Sequence, residues 1–213
     1  MSMPVRRIEF ATERFTELGP AMIDGYIQVT KSIIDLLKSL LSIEFHKKDD
    51  FFDVVVEPMY KDTNEIIDNY LEMILRAVSE LDGLSRGGNA SLVSIISKDR
   101  LHLLTKRMEV KSLVDEIILD KRYKHFKDFF KSIDRVFWAA EVETPPQKMS
   151  QSSYAVYILE EMAKGSYSKG VARERLLAAI HRIEAASISV AQTYARIRVQ
   201  SKIRRLRVPR SSA

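Results

Sequence analysis

Four histidines, His46, His102, His125 and His181, and no cysteine are the residues from which nucleophile or soft-metal chemistry would have to be built. Without a thiol there is no cysteine nucleophile, no thiolate zinc site and no disulfide scaffold. None of the histidines accompanies a GxSxG turn, and neither GxxxxGK[ST] nor GxGxxG occurs, so the usual signatures of serine hydrolases and phosphate loops are missing. Three pairs set an acid one helical turn from a histidine: Asp99 with His102, His125 with Asp128, and His181 with Glu184. Metal sites in helical bundles use Glu-x-x-His pairs projecting inward. Here only one pair has the acid first, and that acid is Asp. Arg100 and Lys124 beside two of the histidines would repel a cation. These pairs therefore read as helix-face pairing, and no metal or cofactor is expected. Arg86-Gly87-Gly88-Asn89 before a helix offers backbone N–H groups to an anion. Glycines at that place suit a plain interhelical connection equally well.

Charge points elsewhere. The net charge is +5, from 34 Lys and Arg against 29 Asp and Glu. No acidic residue follows Glu184, whereas Arg196, Arg198, Lys202, Arg204, Arg205, Arg207 and Arg210 crowd the end of the chain. Residues 1–184 are thus slightly acidic, and the basic character belongs to the tail. Val199, Ile203 and Leu206 form a short apolar stripe among these cations. Such a segment can neutralise phosphates on nucleic acid or, as the lesser alternative, on an anionic membrane surface. It can also lay its stripe in a partner's groove. No aromatic residue follows Tyr194, so stacking on single-stranded bases is not indicated. Nucleic-acid contact would be backbone-directed and salt-dependent, without sequence readout.

One further constellation has a counterpart elsewhere. Arg175-Leu-Leu-Ala-Ala-Ile-His181 has the form Arg-x5-His. It resembles the Arg-x4–6-His motif that HEPN-type ribonucleases, which are small all-α bundles, carry near a helix start. The likeness covers these seven residues and the helical class. It implies that Arg175 stabilises a scissile phosphate and that His181 takes part in proton transfer. The sequence departs from that pattern at Leu176, a position usually polar in the family.

These residues need elements to hold them. The chain has 213 residues, 46% of them hydrophobic, which suits an ordinary globular chain of one large or two small domains. Seven Gly and six Pro act as punctuation. Gly19-Pro20 closes a short piece over 12–18. Met22, Tyr26, Val29, Ile33, Leu36, Leu40 and Ile43 then alternate spacings of 4 and 3, the rhythm of a buried helical seam. After a polar turn at 46–50, Phe52, Val56, Met59, Thr63, Ile66, Tyr70, Met73 and Ala77 repeat it. Pro58 kinks that helix or marks its true start. A third helix runs from Ala90 to Leu119, with a break or bend expected near Met108–Lys111. A fourth covers Lys121–Val142 and carries Phe126, Phe129, Phe130, Phe137 and Trp138, read as bulky core filling. Thr144–Ser153, with Pro145-Pro146, reads as irregular. A short helix follows over Tyr154–Lys164. A last one runs from Gly170 to Arg207 on Leu176, Ile180, Ile183, Ser187, Val190, Tyr194 and Ile197. No period-2 run is long enough to announce a strand.

The expectation is an all-α, mainly antiparallel bundle of five or six long, heptad-patterned helices. Residues 1–195 form one domain with a candidate hinge at 143–153, and 196–213 form a basic helix end and tail. The expected function is a non-catalytic interaction protein. Its basic segment contacts a polyanion or a protein partner, and self-association through heptad surfaces is a further option. The HEPN-like ribonuclease is the alternative. The start of the chain, Met1–Phe10, has no apolar signal core, and no stretch is apolar enough to span a bilayer, so a cytoplasmic location is expected.

Overall fold

The structure, a computed structural model, describes residues 19–42, 51–81, 89–143 and 146–207. Backbone alone is described for 19–23, 80, 89–103, 138–143, 146–148, 150–152 and 204–207. The piece expected over 12–18, the turn at 46–50, the loop 84–88 and Arg210 lie outside this description. The fold is an all-α bundle. Its helices are α1 (Gly19–Ser42), α2 (Glu57–Leu81), α3 (Asn89–Leu119), α4 (Lys127–Val136), α5 (Gln151–Ala163) and α6 (Lys169–Arg207).

The bundle is antiparallel where its cross-links can be followed. Tyr26 pairs with Tyr70, and Ser32 donates to Asp62, so α1 and α2 run in opposite directions. Ser132 meets Thr193 while Asp128 meets Arg196, which opposes α4 to α6. Arg182 lies over Tyr154, and Arg175 lies over Tyr167 beside Tyr157, which opposes α5 to α6. The 4-and-3 seams face inward as expected. Ile33, Leu40, Ile66 and Ile183 are all buried, and so are Leu176, Val190, Tyr194 and Ile197 of α6. Removal of these seams from water is the main favourable term in such a bundle.

Local chemistry sets the helix ends. Pro20 sits in the first turn of α1, where a missing N–H costs nothing. Ahead of Pro58, Phe52–Val56 forms a π-helical turn that runs directly into α2 at Glu57. The apolar rhythm therefore continues through the proline, with Val55, Val56 and Met59 fully buried. Asp120 accepts from the Arg122 N–H at 2.8 Å and starts a 3-10 segment, Lys121–Phe126, that leads into α4. Gly165, at φ +81, reverses the chain after α5, a conformation that glycine adopts without Cβ strain. Ser168 then caps α6: its hydroxyl accepts from the Val171 N–H at 3.3 Å.

Three expectations are corrected. α3 is one continuous helix through Met108–Lys111, so the expected break is absent. Its seam passes through Val110, Val114 and Ile117, which leaves Leu104 and Met108 exposed. The aromatic helix stops at Val136, not Val142. Trp138–Glu143 instead forms β1, antiparallel to β2 (Pro146–Ser150), with Glu143 opposite Pro146. Pro145-Pro146 cannot continue a helix, so the backbone groups of 138–143 find partners in a hairpin ladder. β2 and the first turn of α5 occupy most of the stretch expected to be irregular. Phe129, Phe130 and Phe137 are fully buried, as core filling requires.

Candidate functional site

The candidate residues converge on α6, 39 residues long and packed against α2, α4 and α5. Its inner face is anchored most firmly near its far end. The Tyr194 hydroxyl donates to the Glu57 carboxylate at the start of α2. The Tyr60 ring stacks on Tyr194 at a centroid distance of 3.8 Å, and Phe52 approaches the same ring at 5.8 Å. Burial, followed by the hydrogen bond to Glu57, pushes the Tyr194 phenol up to about 12. Thr193 meets Ser132 at 3.0 Å, and Arg196 reaches Asp128 at 3.6 Å. Together these contacts clamp α6 to α2 and α4 just before the core runs out.

Among the described side chains of the helix, Ile197 is the last buried one. From Arg198 to Ile203 every side chain is exposed except the half-buried Ser201, and the backbone stays helical to Arg207. At 1.5 Å per residue, this overhang adds about 15 Å of helix beyond Ile197. Arg198 and Lys202 are exposed on it, and Arg196 is exposed just before it. Arg204, Arg205 and Arg207 occupy helical positions whose side chains lie outside the description, and Arg210 lies beyond it. The overhang also carries apolar groups: Val199 is 56% and Ile203 43% exposed.

Arg175 and His181 share α6 but not a site. Six residues of helix set them about 9 Å apart along the axis and roughly 120° apart around it. The Arg175 guanidinium sits 4.5 Å above the centre of the Tyr167 ring, on the connection from α5. The hydroxyl of Tyr167 meets that of Tyr157 at 3.2 Å, and this contact, with burial, pushes Tyr157 up to about 12. The His181 side chain is 80% exposed, and its Nδ1 lies 3.2 Å from Glu184. Of the other acid–histidine pairs, His125 and Asp128 are both exposed, and Asp128 turns to Arg196. The side chains of Asp99 and His102 lie outside the description. Among the described residues no three His, Asp or Glu side chains gather around a common point.

A second polar cluster lies inside the bundle. The hydroxyls of Tyr26 and Tyr70 meet at 2.7 Å, and the nearly fully buried Arg107 of α3 lies close enough to act on both. Burial lowers the Arg107 guanidinium from its usual range, and the two phenols and Asp134 oppose that shift. Burial raises Tyr26 and raises Tyr70 well above the ordinary phenol value. The cluster ties α1, α2 and α3 together from within, away from solvent.

Reading the sequence alone missed two parts of this site. The tyrosine clamp joins residues 137 positions apart, which periodicity does not reveal. The outer face of α6 also carries exposed apolar side chains, with Leu177 40% and Ile188 57% exposed on either side of the His181–Glu184 pair. Leu177, Ile188 and Val199 are each 11 positions apart, a spacing hidden among the charges. No helix among the described residues is long and apolar enough to cross a membrane. Comparison with family models, with curated proteins and with solved structures finds no match to this chain.

Proposed function

We propose that the protein is a helical-bundle interaction protein that contacts an anionic partner through the outer end of α6. The carrying observation is the overhang. A helix normally ends near its last core contact, because isolated helical turns are marginal in water. Here the chain extends the helix past Ile197 and populates it with cations, with no acid after Glu184. Cations near a helix C-terminus complement its dipole. One or two would suffice for that, whereas six basic residues lie between Arg196 and Arg207. Their surplus suits release of counterions from an anionic surface. The ribonuclease alternative has less support, because Arg175 and His181 hold separate partners on separate sides of α6.

The test compares the full chain with a chain ending at Ile197. Binding to duplex RNA, to phosphatidylserine vesicles and to poly-glutamate is measured at 50 and 300 mM salt. The full chain binds at least one of these anions, and binding weakens steeply with salt. The shortened chain loses it. A full chain that binds none of the three, or a shortened chain that binds equally well, contradicts the proposal.

A further inference from the structure

We infer that the outer face of α6 is a docking strip for an acidic amphipathic helix of a partner protein. This rests on the interaction reading above and names the class of partner. A helix buried on one side needs polar residues on the other. α6 departs from that rule toward its outer end, where Ile188, Val199 and Ile203 stand exposed with the exposed Ala195 between them. Eleven residues close three helical turns almost without drift. Ile188, Ala195, Val199 and Ile203 therefore share one edge, over about 22 Å of helix at 1.5 Å per residue. Leu177 lies on the same edge further back, but His181 and Glu184, paired at 3.2 Å, stand between it and Ile188. On the helical wheel this edge is roughly opposite the seam of Leu176, Ile183, Val190 and Tyr194 that faces the core. The strip thus begins on the body of the bundle and runs out along the overhang.

The charges beside the strip choose the occupant. Beside Val199 and Ile203, Arg196, which also reaches Asp128, flanks it on one side and Arg198 and Lys202 on the other. The nearest acid on the helix, Glu184, lies at its inner end. Across the whole helix ten basic residues face two acidic ones. A parallel second copy of α6 would set cations against cations, so the partner proposed is a different chain, with self-association an outcome of the test. A phosphate backbone would satisfy the cations but leave Ile188 and Val199 in water. A bilayer would take bulky aromatic anchors, and none follows Tyr194. A helix with an apolar stripe and carboxylates on both sides covers the strip and pairs with the flanks, which is the helix-in-groove mode of recognition.

The test uses a synthetic 28-residue helical peptide, with leucines alternating 4 and 3 apart and glutamates beside them. Poly-glutamate of equal charge is the control. Fluorescence anisotropy with the full chain should show the peptide binding at least tenfold more tightly than poly-glutamate. The double variant Ile188→Gln, Val199→Gln should bring the two affinities together and leave the melting temperature unchanged. Equal affinities in the unaltered protein overturn the strip while leaving the anionic contact intact. A double variant that still prefers the peptide also overturns it, as does concentration-dependent self-association that the variant abolishes. Binding to neither probe overturns the strip, while the anionic contact falls only if RNA and vesicles are not bound either.

Discussion

The two faces of α6 are built from similar side chains and do different work. Leu176 and Leu177 are neighbours in sequence, yet the first is fully buried and the second is 40% exposed. The inner line, from Ala172 to Ile197, closes the bundle against α2, α4 and α5. Leu177, Ile188 and Val199 on the outer face are exposed instead, and that face continues into a cationic overhang. Hydrophobicity alone therefore does not say which residues hold this fold. The difference lies in what faces them, and it makes stability and partner binding separable along one helix.

The sharpest way to break that comparison is to truncate the neighbouring leucines one at a time. Leu176→Ala should cost about 2–5 kcal/mol, because it empties a site that is closed on all sides. Leu177→Ala should change stability by less than about 0.5 kcal/mol, as at other open surface positions. Urea unfolding of the two variants measures both. Similar losses would mean that the outer face is part of the core.

A second variant probes the clamp at the end of the inner line. Tyr194→Phe keeps the stacking on Tyr60 and removes the hydrogen bond to Glu57. The expected loss is about 1 kcal/mol, the ordinary net value of such a bond where solvent screens the carboxylate. The pH dependence carries a sign. The folded phenol is pushed up to about 12, above its unfolded value near 10. Its contribution is fully present below pH 10 and is lost as the pH rises through 12. Tyr194→Phe should remove part of the alkaline loss of stability measured between those limits. An unchanged alkaline profile would place the late-titrating phenols elsewhere, at Tyr157 or in the Tyr26–Tyr70 pair.

The smallest effect belongs to the exposed ion pair beside the clamp. Asp128→Ala removes the partner of Arg196, and both groups are largely in water. Thermal unfolding should show no resolvable change. If that variant lowers the melting temperature clearly, the overhang is more tightly tied to α4 than its exposure indicates.

The 4-and-3 rhythm made the bundle readable because each seam is long and meets another of the same period. Ile33, Leu40, Ile66 and Ile183 follow from spacing alone, since burying them is what makes the helices form. The hairpin was not readable. Its strands are five and six residues long, and Trp138-Ala-Ala lacks the alternation that marks a half-buried strand. The aromatic rhythm that precedes it ran on past the real helix end at Val136. The break expected in α3 arose from treating Leu104 and Met108 as inward-facing, although the seam there passes through Arg107 and Val110. As for the candidate site, composition alone exposed the cations of the tail, because charge needs no fold to be counted. The apolar line beside them became visible only once the inner seam was assigned and Leu177 and Ile188 were left over.

The most direct measurement is the thermal unfolding of the chain ending at Ile197, side by side with the full chain. If the overhang is free of the core, the midpoints agree within about 2 °C, which corresponds to less than about 1 kcal/mol for a chain of this length. A midpoint lowered by roughly 5 °C or more would show that residues after Ile197 help to hold the bundle, and would contradict the division of α6 into a structural inner seam and a free outer end.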